Sequence, residues 1–246
     1  DFKKTTEQIH SCMELCDGYF TSTDTLAGEI RREFPGKPVV INRNCASMEM
    51  QILSHDAVEQ VEKDPEHISI GYFSVSKTHD QDFEVAEEAI LEVMKEHPEV
   101  RLKLVGVLSD RKMEKFGNKV EKLPFMDWKQ LPSVMAGIDI NLMPLENSLF
   151  HWCKSENKWT EAALVKVPSV MSRNCEMEYV VENGKDGWMC TTKEEWVNAL
   201  EALVTDEKAR KAMGEAAHQK VMEHYLTVNT GKDAMEELLC SESYTK

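Results

Sequence analysis

No apolar run in this 246-residue chain approaches the roughly 20 residues of a membrane-spanning helix, and no secretory signal pattern opens it. Basic charge is also short. Lysines and arginines number 29 against 44 aspartates and glutamates, a formal net charge of −15. Broad binding to nucleic acid or to an anionic membrane needs a basic face that releases counterions, so neither partner is expected. One small anionic ligand, held by a few lysines in a cleft, is compatible with that balance. The seven cysteines, Cys12, Cys16, Cys45, Cys153, Cys175, Cys190 and Cys240, are odd in number and scattered. That pattern lacks the regularity of a disulfide framework and points to reduced thiols in a cytoplasmic setting. Cys12 and Cys16 share a helical face, but no second pair stands near enough for a structural zinc site. Repeats and low-complexity segments are absent. The chain opens at Asp1 rather than at a methionine, and the expectation is a processed or excised piece.

What is present fits one large α/β domain, or one domain plus part of another. The apolar share of 41% and the charged share of 30% are ordinary for a globular chain, and a core of this size needs no staples. Short β-rich runs occupy residues 18–22, 38–42, 67–73, 101–105, 119–123, 139–143, 167–172 and 187–190. Helical stretches separate most of them, as at 82–96, where Phe83, Ala86, Ala89, Ile90, Val93 and Met94 recur at helical spacing. Such alternation predicts a doubly wound parallel sheet covered on both faces. Residues 1–45 read as a separate unit of two strands with their helices, too small to bury a core alone. Either they join the main sheet or they end a larger domain. The reading continues with a hinge helix and linker over 46–66, a main domain over 67–222, and a terminal helix and tail over 223–246, the helix running from 225 to 239.

The most informative segment is residues 141–172, NLMPLENSLFHWCKSENKWTEAALVKVPSVMS. A strand ends near Met143, a loop of about eleven residues follows, and Ser155 reads as the N-cap of a helix running to about Val165, with Glu156 at its positive end. In an open parallel sheet ligands sit beyond the carboxyl ends of strands, which is where this loop lies. Backbone N–H groups at Lys154 and Ser155 are expected to be free for a phosphate. Lys158 and Glu161, three apart, share a face with the loop rim. Lysines beside a carboxylate suit a nucleotide sugar, the lysines holding the diphosphate and the carboxylate accepting hydroxyl hydrogen bonds. Spacing alone equally allows an ordinary surface helix. A second loop, GYFSVSKTHDQD at 71–82, offers Ser74, Ser76 and Lys77 to a phosphate, although it lacks the ending of a P-loop and also reads simply as the start of a helix. In a third, KLPFMDW at 122–128, Phe125 either covers one face of a base or plugs the core.

Taken in this order the segments resemble the carboxyl-terminal, donor-binding domain of retaining glycosyltransferases of family four, the group 1 type with the GT-B architecture. ISIGYFSVSKTHDQDF, RLKLVGVL, LPFMDWKQLP, the 141–172 segment and NGKDGWMCTTKEEWVNALEALVTD carry the resemblance over nearly the whole chain. GYFTSTDTLAGEIRREFPGKPVVINRN looks like the last strand–helix–strand of the acceptor-binding amino-terminal domain. The resemblance implies a Rossmann-like fold and transfer of a hexosyl group from a nucleoside diphosphate sugar to a glycan or other acceptor hydroxyl, in polysaccharide biosynthesis, with no metal or other cofactor. Glu161 falls at the second glutamate of the family's pair, which holds the donor ribose, whereas Cys153 stands where the first glutamate is expected. Glu156 or Glu146 then becomes the substitute. Lys77 falls in the region of the diphosphate-binding lysine, Lys154, Ser155 and Lys158 belong to a KSE-x-KW-x-EA form of the motif, and Phe125 lies where the family's loop meets the base. The acceptor domain is expected to be cut away or to be a partner chain, leaving this chain inactive alone. Two other readings stay open: a non-catalytic subunit of a two-chain transferase, and a sugar-nucleotide epimerase of the same fold.

Overall fold

The computed structural model describes residues 2–74, 80–106, 108, 111–229 and 232–240. Its main sheet has six parallel strands: β3 (Ile68–Ser74), β4 (Val100–Gly106), β5 (Val120–Leu123), β6 (Ile140–Met143), β7 (Ser169–Ser172) and β8 (Trp188–Cys190). They lie in the order β5-β4-β3-β6-β7-β8. The first strand, β3, is therefore central, with the chain winding outward on one side and then, from β6, on the other. β6 and β7 are buried along their full length, as strands covered on both faces must be. The doubly wound parallel sheet read from the alternating pattern is the one observed.

Helix α4 (Asp80–Glu96) shows why one face is covered as it is. Phe83, Ala86, Ala89, Ile90, Val93 and Met94 form its apolar stripe and are at most 1% exposed, while Glu84, Glu88 and Glu92 face outward. They pack with Tyr72, Leu102, Leu142 and the buried face of α9 (Lys193–Thr205). Each fully buried Ile or Leu here contributes about 1.5–3 kcal/mol. The opposite face carries Phe73 and Val105 and is covered by α3 (Met48–Gln60), α5 (Leu131–Ala136) and α7 (Asn157–Leu164).

The first residues stay outside this sheet. α1 (Phe2–Glu14), β1 (Tyr19–Thr21), α2 (Asp24–Glu33) and β2 (Val39–Ile41) form a two-stranded parallel unit around Tyr19, Ala27, Phe34 and Val39. After α8 (Cys175–Val180), α9 and α10 (Glu207–His224), the chain returns to it. Ala46 N–H donates to the Tyr225 carbonyl at 2.8 Å, and Thr227 N–H donates to the Ala46 carbonyl at 3.0 Å. This pairing holds 225–227 out of helical geometry, so the terminal helix expected from residue 225 begins only at Lys232, as α11 (Lys232–Leu239), and packs against β2.

Candidate functional site

The winding reverses between β3 and β6, and the crevice outside their carboxyl ends is where open parallel sheets bind ligands. Ser74 closes β3 there, 3% exposed. Beside it Gly106 ends β4 with φ +101°, and a Cβ on it would lie 1.7 Å from the Ser74 carbonyl oxygen. Only glycine allows the two strand ends so close. From β6 the chain runs through a short helix, α6 (Leu149–Trp152), inside what the sequence presents as plain loop, and then into α7.

The start of α7 corrects the sequence reading. Its N-cap is Glu156, not Ser155, and no side chain caps it. Ser155 Oγ instead accepts a bond from Asn44 Nδ2 at 2.7 Å, which ties the helix start to the segment between β2 and α3. The Lys154 N–H, expected to be free, donates to the His151 carbonyl at 3.2 Å, because α6 precedes it. Glu156 is corrected as a ligand contact as well. Its side chain has no solvent exposure and lies 3.9 Å from Arg43 Nη1, with both oxygens lacking a hydrogen-bond partner among the described residues. Burial raises its pKa to about 7. A carboxyl shut inside the protein does not meet a ligand in the crevice.

Other expected residues do converge. A cavity of about 430 Å³ is lined by Ser74, Phe125, Lys158 and Glu161, and by Trp128 and Asn157, which the sequence reading passed over. Its walls are largely apolar, with Phe73, Val105, Met126 and Leu131 beside a further carboxylate residue, Asp127. Phe125 is 63% exposed, so it is no core plug. A smaller cavity of about 220 Å³ shares Asn157 and Lys158 and adds Lys154 and Ser155. A third, of about 410 Å³, shares Trp128, Asn157 and Glu161 and reaches Asn44 and Ser47, just before α3. The three make one groove along the first turns of α7. Ser76 and Lys77 lie outside the described residues. A larger cavity of about 700 Å³ opens at the opposite edge of the sheet, around His67, Arg101 and Glu121, away from the reversal point.

Electrostatics single out two groups in the groove. Burial raises the Glu161 pKa to about 7, opposed by the Lys158 charge. Burial lowers the Lys158 pKa to about 8, opposed by Asp82 and Glu161. The Lys158 ammonium stands 5.0 Å from the ring centre of Tyr72, a cation–π contact. Lys154 Nζ donates to Asp82 Oδ2 at 3.2 Å and lies 5.2 Å from the Phe150 ring centre. The groove thus joins an apolar, aromatic-edged chamber to a pair of ammonium groups and two carboxyls, Glu161 and Asp127. Such a lining accommodates a flat ring, hydroxyls and anionic oxygens in sequence.

Comparison with known proteins meets this geometry. The family model of glycosyl transferases group 1 matches residues 67–206. No curated protein sequence matches the chain. Among solved structures, HepE from Anabaena, in complex with UDP and glucose, superposes with a TM-score of 0.69 at 16% identity, covering 92% of this chain and 63% of that one. TarM from S. aureus, in complex with Fondaparinux, alpha-GlcNAc-glycerol and UDP, gives 0.68 at 15% identity, covering 99% and 47%. The C-terminal domain of the group 1 family protein LpcC from Francisella tularensis gives 0.53 at 16%, covering 75% of this chain and 96% of that domain. The chain therefore spans under two thirds of HepE and under half of TarM. At these identities the likeness establishes the GT-B fold. With the family model spanning more than half of it, the chain belongs to the glycosyl transferases group 1 family.

Proposed function

We propose that this chain is the donor-binding part of a retaining glycosyltransferase that transfers a hexosyl group from a nucleoside diphosphate sugar to an acceptor hydroxyl. Transfer then needs an acceptor-binding half supplied by further chain or by a partner, and the chain alone binds donor without turning it over. The observation that carries the reading is the groove itself, where Lys154, Lys158 and Glu161 meet an aromatic-edged chamber at the reversal point of the sheet. The base takes the apolar chamber beside Phe125 and Trp128. The Glu161 carboxylate accepts the ribose hydroxyls. The two ammonium groups face the diphosphate.

In the transfer the bond from the sugar's anomeric carbon to the diphosphate oxygen breaks, and its electron pair leaves with the diphosphate. The acceptor oxygen bonds to the same face of that carbon and its proton passes to the departing phosphate. Fixed cations that stabilise the leaving charge lower the barrier, and no protein nucleophile is required. Cytoplasmic polysaccharide synthesis is the setting this chemistry fits, with neither metal nor other cofactor. Melting curves with millimolar UDP, GDP and ADP test the reading. One of the three should raise the transition, and Glu161→Ala and Lys158→Ala should each remove most of that rise. Flat curves with all three on folded protein would sink it.

A further inference from the structure

The stretch between β6 and α7 carries Lys154 but is poorly anchored by apolar contacts, since Leu149 is 46% and Phe150 71% exposed. Buried Leu145 and its bonds with Ser172 hold its first residues, Thr23 Oγ1 donates to the Cys153 carbonyl at 3.2 Å, and one carboxylate from the other side of the reversal point engages it at three places. Asp82, in the first turn of α4, has no solvent exposure. Its Oδ1 accepts the Glu146 N–H at 3.0 Å and lies 3.0 Å from His151 Nε2, and its Oδ2 accepts from Lys154 Nζ at 3.2 Å. His151, itself buried, is braced on its other side by Ser148 Oγ, 2.7 Å from Nδ1. With Nε2–H directed at Asp82, a neutral ring accepts the Ser148 proton at Nδ1, and ring protonation reverses only that bond. One side chain thus grips the stretch at its beginning, middle and end. The Asp82 charge also supports the Lys158 ammonium.

Asp82, Glu146 and His151 also place ligand atoms within 4.8 Å of one another, a grouping that invites a metal ion. Both Asp82 oxygens and both His151 nitrogens are already engaged, and Lys154 supplies the positive charge. The grouping works as a strut.

We propose that Asp82 is a positioning residue of the donor site, which through His151 and Lys154 fixes residues 144–154 and aims the Lys154 ammonium at the donor diphosphate. This rests on the donor-binding reading of the groove. It assigns Asp82 to the diphosphate and not to the base or ribose, so its loss should be felt by a nucleoside diphosphate and not by the bare nucleoside.

Asp82→Asn keeps the shape and an acceptor oxygen while removing the charge. Hydrogen exchange over 144–154, read by mass spectrometry without ligand, should quicken about tenfold while α9 is unchanged. Titrations with UDP, GDP and ADP, and with uridine, guanosine and adenosine, should show the diphosphate that binds weakened about tenfold, with its nucleoside unchanged. Unaltered exchange, or equal weakening of nucleoside and diphosphate, overturns the proposal. Where Asp82→Asn unfolds the chain, Ser148→Ala loosens the same strut from its far end. It should quicken exchange over 144–154 alone, and unchanged exchange there counts equally against the strut. Wild-type protein that binds none of the six compounds refutes the donor reading itself, a result kept distinct because exchange is measured without ligand.

Discussion

Glu161 and Lys158 stand one helical turn apart on α7, and the groove pushes their pKa values toward each other, to about 7 and about 8. A carboxyl accepts ribose hydroxyls best when ionised, so donor affinity should rise as pH climbs through about 7. Lys158 loses its proton above about 8, so affinity should then fall. Titrations with UDP-glucose and GDP-mannose, diesters without the secondary phosphate ionisation near pH 6 that complicates UDP, should give a bell with its top between the two values. Glu161→Gln should flatten the acid limb and Lys158→Met the alkaline limb, and a binding curve indifferent to pH would remove both roles. That these two residues share one face was readable in advance because their spacing on one helix is local. Glu156 was not, because its fate depends on Arg43, more than a hundred positions away. Asp82 could have been found, since it falls on the same stripe as Ala86, Ala89, Ile90 and Val93, and a carboxylate on an apolar stripe requires partners.

At the scale of elements, eight strand positions were legible because buried parallel strands are short apolar runs, a signal carried by neighbouring residues alone. The boundaries that shifted were set by distant contacts. Ala46 pairs with 225–227 and delays α11, and Asn44 takes the Ser155 hydroxyl, leaving α7 to start at Asn157. Two elements approach closely at the β3–β4 end, where Gly106 faces the Ser74 carbonyl. Gly106→Ala adds a Cβ into that oxygen at a positive φ, and should cost about 3 kcal/mol or more and lower the melting temperature by about 6 °C or more. Gly28, inside α2, has nothing within 4 Å of its would-be Cβ. Gly28→Ala should therefore stabilise by up to about 1 kcal/mol through helix propensity. Equal effects of the two substitutions in a melting experiment would deny the close approach.

The whole molecule is joined at Arg43, between β2 and α3. Its guanidinium bonds Asp24 of α2, and Nη1 donates to Glu176 of α8 at 2.6 Å. Glu176 has no exposure and also accepts Thr25 N–H at 3.2 Å, so the amino-terminal unit and the main domain share one buried charge cluster. Arg43→Met leaves the Glu176 carboxylate buried with its main partner gone, and should destabilise by about 3–5 kcal/mol. Glu156, third around the same guanidinium, obtains no hydrogen bond from it, and burial holds its proton up to about pH 7. The folded form thus binds this proton more tightly than the unfolded chain, whose glutamates ionise near 4.5. Stability from that proton is fully present below about 4.5, falls as pH rises, and is gone above about 7. The loss amounts to about 3 kcal/mol at most. Glu156→Gln, neutral at every pH, should melt several degrees above the wild type at pH 8 and match it at pH 4.5. A wild-type melting temperature that rises between pH 5 and pH 7, with Glu156→Gln lower at pH 8, would mean that Glu156 is ionised in the fold and that Arg43 binds all three carboxylates.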